Sequence, residues 1–191
     1  MSCPDNSDII LYSFLLFITG GEDMRLFVAV KFIREMEKAL TDIQSEMKEN
    51  GISGNYTDAK NLHLTLAFIG EYNSPERVME ALSQVKFEPF RLSLEERIGN
   101  FRDILWVGVK KDTRLMSLDA NVRKALAGYH IPFDPRPFRP HITLVRKAVS
   151  HNALCKTDRV FMTVEKFSLM HSHRENGKLI YTEIGVIEAG G

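Results

Sequence analysis

The chain carries 191 residues, 44% of them hydrophobic, enough to bury the core of one large domain or of two small lobes. Its 25 Lys and Arg residues are matched by 25 Asp and Glu residues, which excludes a global field that would hold long nucleic acid or an anionic membrane; any polyanion site must be local. The two cysteines, Cys3 and Cys155, stand far apart without CxxC or metal spacing, so they read as free thiols of a reducing, cytoplasmic setting and not as a disulfide scaffold.

Residues 9–18, IILYSFLLFI, form a solid apolar run. A helix needs about 20 such residues to span a bilayer, so the run is too short. Asp5 and Asp8 stand where a secretory signal would be basic, and no A-x-A site follows. Residues 1–23 are therefore expected to be an extension that packs on a domain starting near Met24 or mediates self-association. From there the pattern predicts a strand over 26–32, LFVAVKF, and a helix over 33–49 with Ile33, Met36, Leu40, Ile43 and Met47 on one face. Asn50-Gly51 supplies its stop. LHLTLAFIG, residues 62–70, alternates as a strand does and sets His63 and Thr65 on one face. Ser74-Pro75 opens a second helix running to about Val85.

The second half repeats this scheme. Strands are expected near 90–98 and 105–110, a helix over 115–129, and a strand within FRPHITLVR, residues 138–146. LFVAVK at 26–31 aligns with LWVGVK at 105–110, with Phe27 against Trp106 and Ala29 against Gly108. Leu26 lies 37 positions before His63, and Leu105 lies 36 before His141. Strand, helix and a strand bearing His-x-Thr thus occur twice at nearly one spacing, the mark of an internal duplication. Residues 159–170 and 178–187 read as two strands joined by Glu175-Asn176-Gly177-Lys178, a hairpin signal. The expected class is α+β: two pseudo-symmetric lobes, with antiparallel-dominated sheets and flanking helices, around a central cleft.

With six histidines and nine threonines, roughly 0.3 His-x-Thr triplets are expected by chance, so one alone is weak evidence. Two, in apolar strands at matching repeat positions, are not a chance pattern. On a strand, residues i and i+2 share a face, so each half offers an imidazole beside a hydroxyl while alternate leucines and isoleucines anchor the other face. Facing each other across a cleft, His63 and His141 could divide proton transfer between them, one accepting from water and one donating to a leaving oxygen. Thr65 and Thr143 could hold the non-bridging oxygens of a phosphate. His171 and His173 alternate too, but lack a carboxylate or cysteine cluster and read as surface strand residues. His130 and His151 belong to no motif and are expected to cap or face solvent.

The loop from His130 to Pro140, HIPFDPRPFRP, reads either as a cover for a sheet edge or as an RNA contact. In the second case Phe133 or Phe138 would stack on a base and Arg136 would meet phosphate. Residues 131–147 carry a local net charge of +3. Arg139 is in phase with His141 and is a candidate phosphate ligand.

NLHLTLAFIGE (61–71), FRPHITLVR (138–146) and the opening MRLFVAV (24–30) resemble the two-histidine (2H) phosphoesterase superfamily, and within it the RNA 2′,3′-cyclic phosphodiesterases, also called 2′,5′-RNA ligases or the LigT/ThpR family. The resemblance covers Met24 to about Ile187, making 24–191 a single bilobal domain. It implies a metal-independent, cofactor-free phosphodiesterase that opens 2′,3′-cyclic phosphate ends of RNA, tRNA fragments among them, or of small cyclic nucleotides, leaving a 2′-phosphate; a monomer is expected. By the same resemblance His63 would be the general acid, His141 the general base, and Thr65, Thr143 and Arg146 phosphate ligands. Arg146 is out of phase with His141 and Thr143, so a bulge or the strand's end must redirect it. Ligation or cleavage of 2′,5′ linkages, and a non-catalytic nucleotide-binding module, are the alternatives.

Overall fold

The computed structural model describes residues 23–149 and 160–190. The apolar run at 9–18, Cys3, Cys155 and His151 lie outside them. In chain order the elements are β1 (Met24–Lys31), α1 (Arg34–Glu49), β2 (Asn55–Tyr56), a 3-10 turn (Ala59–Asn61), β3 (His63–Tyr72), α2 (Pro75–Leu82), β4 (Phe90–Phe101), β5 (Ile104–Val109), α3 (Thr113–Gly128), β6 (His141–Arg146), β7 (Phe161–Val164), β8 (Lys166–Glu175) and β9 (Lys178–Glu188).

These strands form two antiparallel sheets, ordered β3-β1-β8-β9 and β2-β6-β5-β4-β7. Each is one lobe of a two-lobed fold. Strand β1 is buried on both faces: Leu26, Val28 and Val30 enter the main core, while Phe27 and Ala29 join a separate small cluster with Met170, Phe68 and Tyr181. A strand covered on both sides reads as one apolar run, which is why alternation did not mark its faces. The main core is continuous beneath both lobes, joining Leu64 and Leu66 of β3 to Ile142 and Leu144 of β6.

Helix α1 buries Met36, Leu40, Ile43 and Met47 as the spacing predicts. Ile33 does not belong to that face; it is the extended N-cap residue, and it is 44% exposed. Both long helices end alike. Ile52 N–H donates to Met47 O across Gly51, whose φ is 78°, and Ile131 N–H donates to Leu126 O across His130, whose φ is 55°. In each case the residue that follows the left-handed position is buried, a Schellman closure repeated in both halves.

The C-terminal segment departs from the expectation of one strand over 159–170. The chain pairs with β4 through Val164 and, past Glu165, pairs with β1 from Ser168. It thereby switches sheets, and the β8–β9 hairpin completes the lobe begun by β1. Asn176 and Gly177, at φ 49° and 78°, close that hairpin as a type I′ turn. The exchange runs the other way too: β2 pairs with β6, α1 packs against β6 and α3 against β3. No described helix is long and apolar enough to cross a membrane.

Candidate active site

His63 and His141 are each the first residue of their strand, and β3 and β6 meet where the two lobes come together. His63 is entered through the extended Leu62, at φ −68° and ψ 128°, and His141 through Pro140; in both cases the carbonyl two positions back meets the ring. His63 Nδ1 lies 2.7 Å from Asn61 O, and His141 Nδ1 lies 2.7 Å from Arg139 O. A carbonyl only accepts, so both Nδ1 atoms carry the proton and both Nε2 atoms are left for chemistry. At His63 the Nε2 lone pair accepts from the Thr65 hydroxyl at 3.0 Å. The same device thus fixes the same tautomer twice.

Strand β5 pairs with β6 with one extra residue, Leu144, between the pairs Leu105 with Val145 and Trp106 with Thr143. Strand β3 has its extra residue, Leu66, at the matching place between Ala67 and Thr65. A bulge of one residue reverses the side on which all later side chains emerge. The residue five places after each histidine therefore returns to that histidine's face: Arg146 in the second half, Phe68 in the first. The bulge that the out-of-phase arginine required is present.

Burial holds His63 far below an ordinary imidazole, at about 4 instead of 6.5. Its hydrogen bond to Asn61 O opposes the shift, whereas the charges of Arg146 and His141 add to it. His63, His141 and Arg146 therefore share one electrostatic neighbourhood, although they come from different lobes. On the protein side two rings dry the His63 imidazole: Phe27 at 4.9 Å and Tyr181 at 5.2 Å between centroids. His141 has Phe101 at 5.4 Å and Trp106 at 5.9 Å.

The family model for the 2′-5′ RNA ligase superfamily matches residues 33–176. The chain belongs to that superfamily. An RNA 2′,3′-cyclic phosphodiesterase of Archaeoglobus fulgidus is 31% identical over 180 residues, which are 86% of this chain and all of that protein. One from Escherichia coli is 31% identical over 67% of this chain and 74% of its own length. Among solved structures, apo LigT of E. coli superposes with a TM-score of 0.79 at 26% identity, covering 88% of this chain and 98% of LigT; its complex with phosphate gives 0.75, also at 26% identity, with the same coverage of both chains.

Within this superfamily framework the proline-rich loop covers a sheet edge. Asp134 N–H donates to Phe68 O on the open side of β3. Phe133 packs on the core beneath the Arg123 guanidinium, which also donates to Asp134 O. Arg136 is held against the Asp134 carboxylate through Nε and a terminal nitrogen, and that guanidinium keeps the carboxylate at about 2. Phe138 is half-buried against the core. Arg139 meets the site through its carbonyl, while its side chain is exposed. His171 and His173 are half-buried on β8, their rings stacked at 4.8 Å.

Sequence reasoning missed Asn61, Phe27, Trp106, Tyr181 and Phe101. One signal was there to use: Phe27 and Trp106 occupy the same position of the repeat, and each lies beside its own half's histidine. Tyr181 and Phe101 left no such trace, because each reaches its histidine through tertiary packing alone.

Proposed function

We propose that this chain hydrolyses 2′,3′-cyclic phosphate ends of RNA or nucleotides to 2′-phosphates without a metal, using His63 and His141 as a proton-transfer pair. The observation that carries the reading is the pair of imidazoles, each with Nδ1–H tied to the carbonyl two residues back, coupled to each other and to Arg146. His141 Nε2 takes a proton from water as its oxygen bonds phosphorus. The bond from phosphorus to O3′ breaks, and His63 gives its proton to O3′. Thr65, now donating to His63 Nε2, turns to a phosphoryl oxygen and frees that nitrogen, while Thr143 and Arg146 hold the others. Arg139 is read as a further phosphate ligand, and Phe133, Phe138 and Arg136 of the proline-rich loop are offered as RNA contacts.

A general acid must be protonated, yet unliganded His63 is neutral down to about pH 4. An entering phosphodiester anion pairs with Arg146 and adds negative charge beside the ring, and both effects raise the imidazole, so proton uptake accompanies binding. The depressed value also favours a second reading in which His63 is the base and His141 the acid.

The test is turnover of 2′,3′-cyclic AMP and of a short RNA with a cyclic end, in EDTA, with the phosphate isomer identified in the product. His63→Ala and His141→Ala should each lose roughly 10²- to 10⁴-fold. Wild-type rates in either variant would end the proposal. A substrate with sulfur at the 3′ leaving position needs no acid, so it should rescue only the acid variant and thereby assign the roles. Joining of RNA halves in the same assay would favour the ligase reading, and binding without turnover a non-catalytic module.

A further inference from the structure

Each histidine of the site lies between two aromatic rings, and only one ring of each pair descends from the sequence repeat. Phe27 and Trp106 are repeat-matched. The second rings come from strands that do not correspond: Tyr181 from β9, two strands away from β3's neighbour β1, and Phe101 from the end of β4. They nonetheless make the same contact. Tyr181 meets His63 at 5.2 Å and 85°, and Phe101 meets His141 at 5.4 Å and 86°. Tyr181 rests edge-on on Phe27 at 4.9 Å, and Phe101 stacks on Trp106 at 4.9 Å. Two unrelated strands have arrived at one ring geometry, which ties that geometry to the imidazoles and not to the duplication.

Once Thr65 turns to substrate, the His63 imidazole is held only by Nδ1 and is poorly fixed by hydrogen bonds, because χ2 of histidine is broad and roughly two-fold. With Phe27 on one flank and Tyr181 edge-on to the ring, one setting of χ2 remains, in which Nε2 meets Thr65 Oγ1 at 3.0 Å. We propose that Tyr181 is a positioning residue for His63, acting through its ring, which fixes the imidazole plane and keeps water from its flank. This rests on the reading of His63 as a reacting imidazole.

Arg146 and His141 of β6 act on His63 through their charges, and Tyr181 of β9 meets its ring; the other charged groups on these elements are Lys31 and Arg25 of β1 and Glu183 of β9. Lys31 is paired with Glu183 at 3.6 Å, and Arg25 with Glu71 at 3.4 Å. The Tyr181 hydroxyl is raised by burial, against Arg146 and Arg25, and stays protonated at neutral pH. No group among the described residues hydrogen-bonds it, so the ring and the hydroxyl can be tested apart.

The experiment follows the His63 ring proton by NMR titration in the full chain, beside kcat/KM for 2′,3′-cyclic AMP across pH. Tyr181→Ala and Tyr181→Leu should raise the His63 midpoint by about one unit and lower kcat/KM about 10-fold, chiefly through kcat. Tyr181→Phe, which keeps the ring, should restore both. Two side-chain sizes guard against a folding defect, as does the NMR spectrum itself. An unmoved His63 titration in both Tyr181→Ala and Tyr181→Leu would overturn the proposal, as would Tyr181→Phe losing as much rate as Tyr181→Ala. A shifted titration in a protein without turnover would uphold the positioning and overturn the phosphodiesterase reading.

Discussion

The burial of His63 makes a prediction about stability that needs no substrate. In the unfolded chain its imidazole titrates at 6.5, and in the folded protein at about 4. The folded state therefore binds fewer protons than the unfolded state throughout that window, so stability is intact above pH 6.5, falls as the pH drops towards 4, and is flat below it. With those two values the penalty is about 0.2 kcal/mol at pH 7, about 2 kcal/mol at pH 5 and about 3 kcal/mol at pH 4. Replacing His63 by Gln removes the titration and keeps a donor for Asn61 O. Urea unfolding of the wild type and His63→Gln at pH 7 and pH 5 should show the wild type losing about 1.8 kcal/mol more than the variant. Inorganic phosphate should narrow the difference by raising the folded-state value. Parallel pH curves would mean that the ring is as hydrated in the folded protein as outside it, and the argument from its aromatic flanks would fail.

Three further outcomes follow from particular contacts. Arg146→Gln should lower kcat/KM roughly 10²-fold and also raise the His63 NMR midpoint, because this guanidinium depresses it; an unmoved midpoint would place the arginine outside the site. The Gln44 amide donates to the carbonyls of Thr57 and Leu144 and joins α1 to β6. Gln44→Leu should cost about 1–3 kcal/mol in thermal unfolding by leaving the part-buried Thr57 O without that donor, and an unchanged Tm would contradict the role. His130→Gly should raise Tm, gaining about 0.5–1 kcal/mol, since His130 holds the left-handed φ of 55° that Gly51 takes in the first half; a lower Tm would show that the imidazole itself contributes there.

What the sequence disclosed was whatever is written locally. The core face of α1, the Asn176-Gly177 turn and the twin His-x-Thr strands were all legible, because period, caps and turn residues are properties of short stretches. Ile33 was assigned to the helix by spacing although backbone geometry makes it the cap. The crossing at Glu165 was invisible for another reason: no glycine or proline separates Phe161–Val164 from Lys166–Glu175, and only their partners, β4 and β1, mark the change of sheet. Arg146 lies between these cases. Its phase error is visible in the sequence, and the error itself announces a bulge, but not that the extra residue is Leu144. The second aromatic ring at each histidine had no local signature at all.

The exchange of strands between the lobes has a consequence for how the chain is made. Strand β1 is among the first structured segments to leave the ribosome, yet its partner β8 is encoded some 140 residues later. At ~5–20 residues per second one edge of β1 waits roughly 7–30 seconds for that partner. During that interval the edge is open to any passing strand, and the first half alone lacks the strand that pairs there. Removing the final 26 residues would strip β1 of its neighbour and, with it, the wall against which the first imidazole is set.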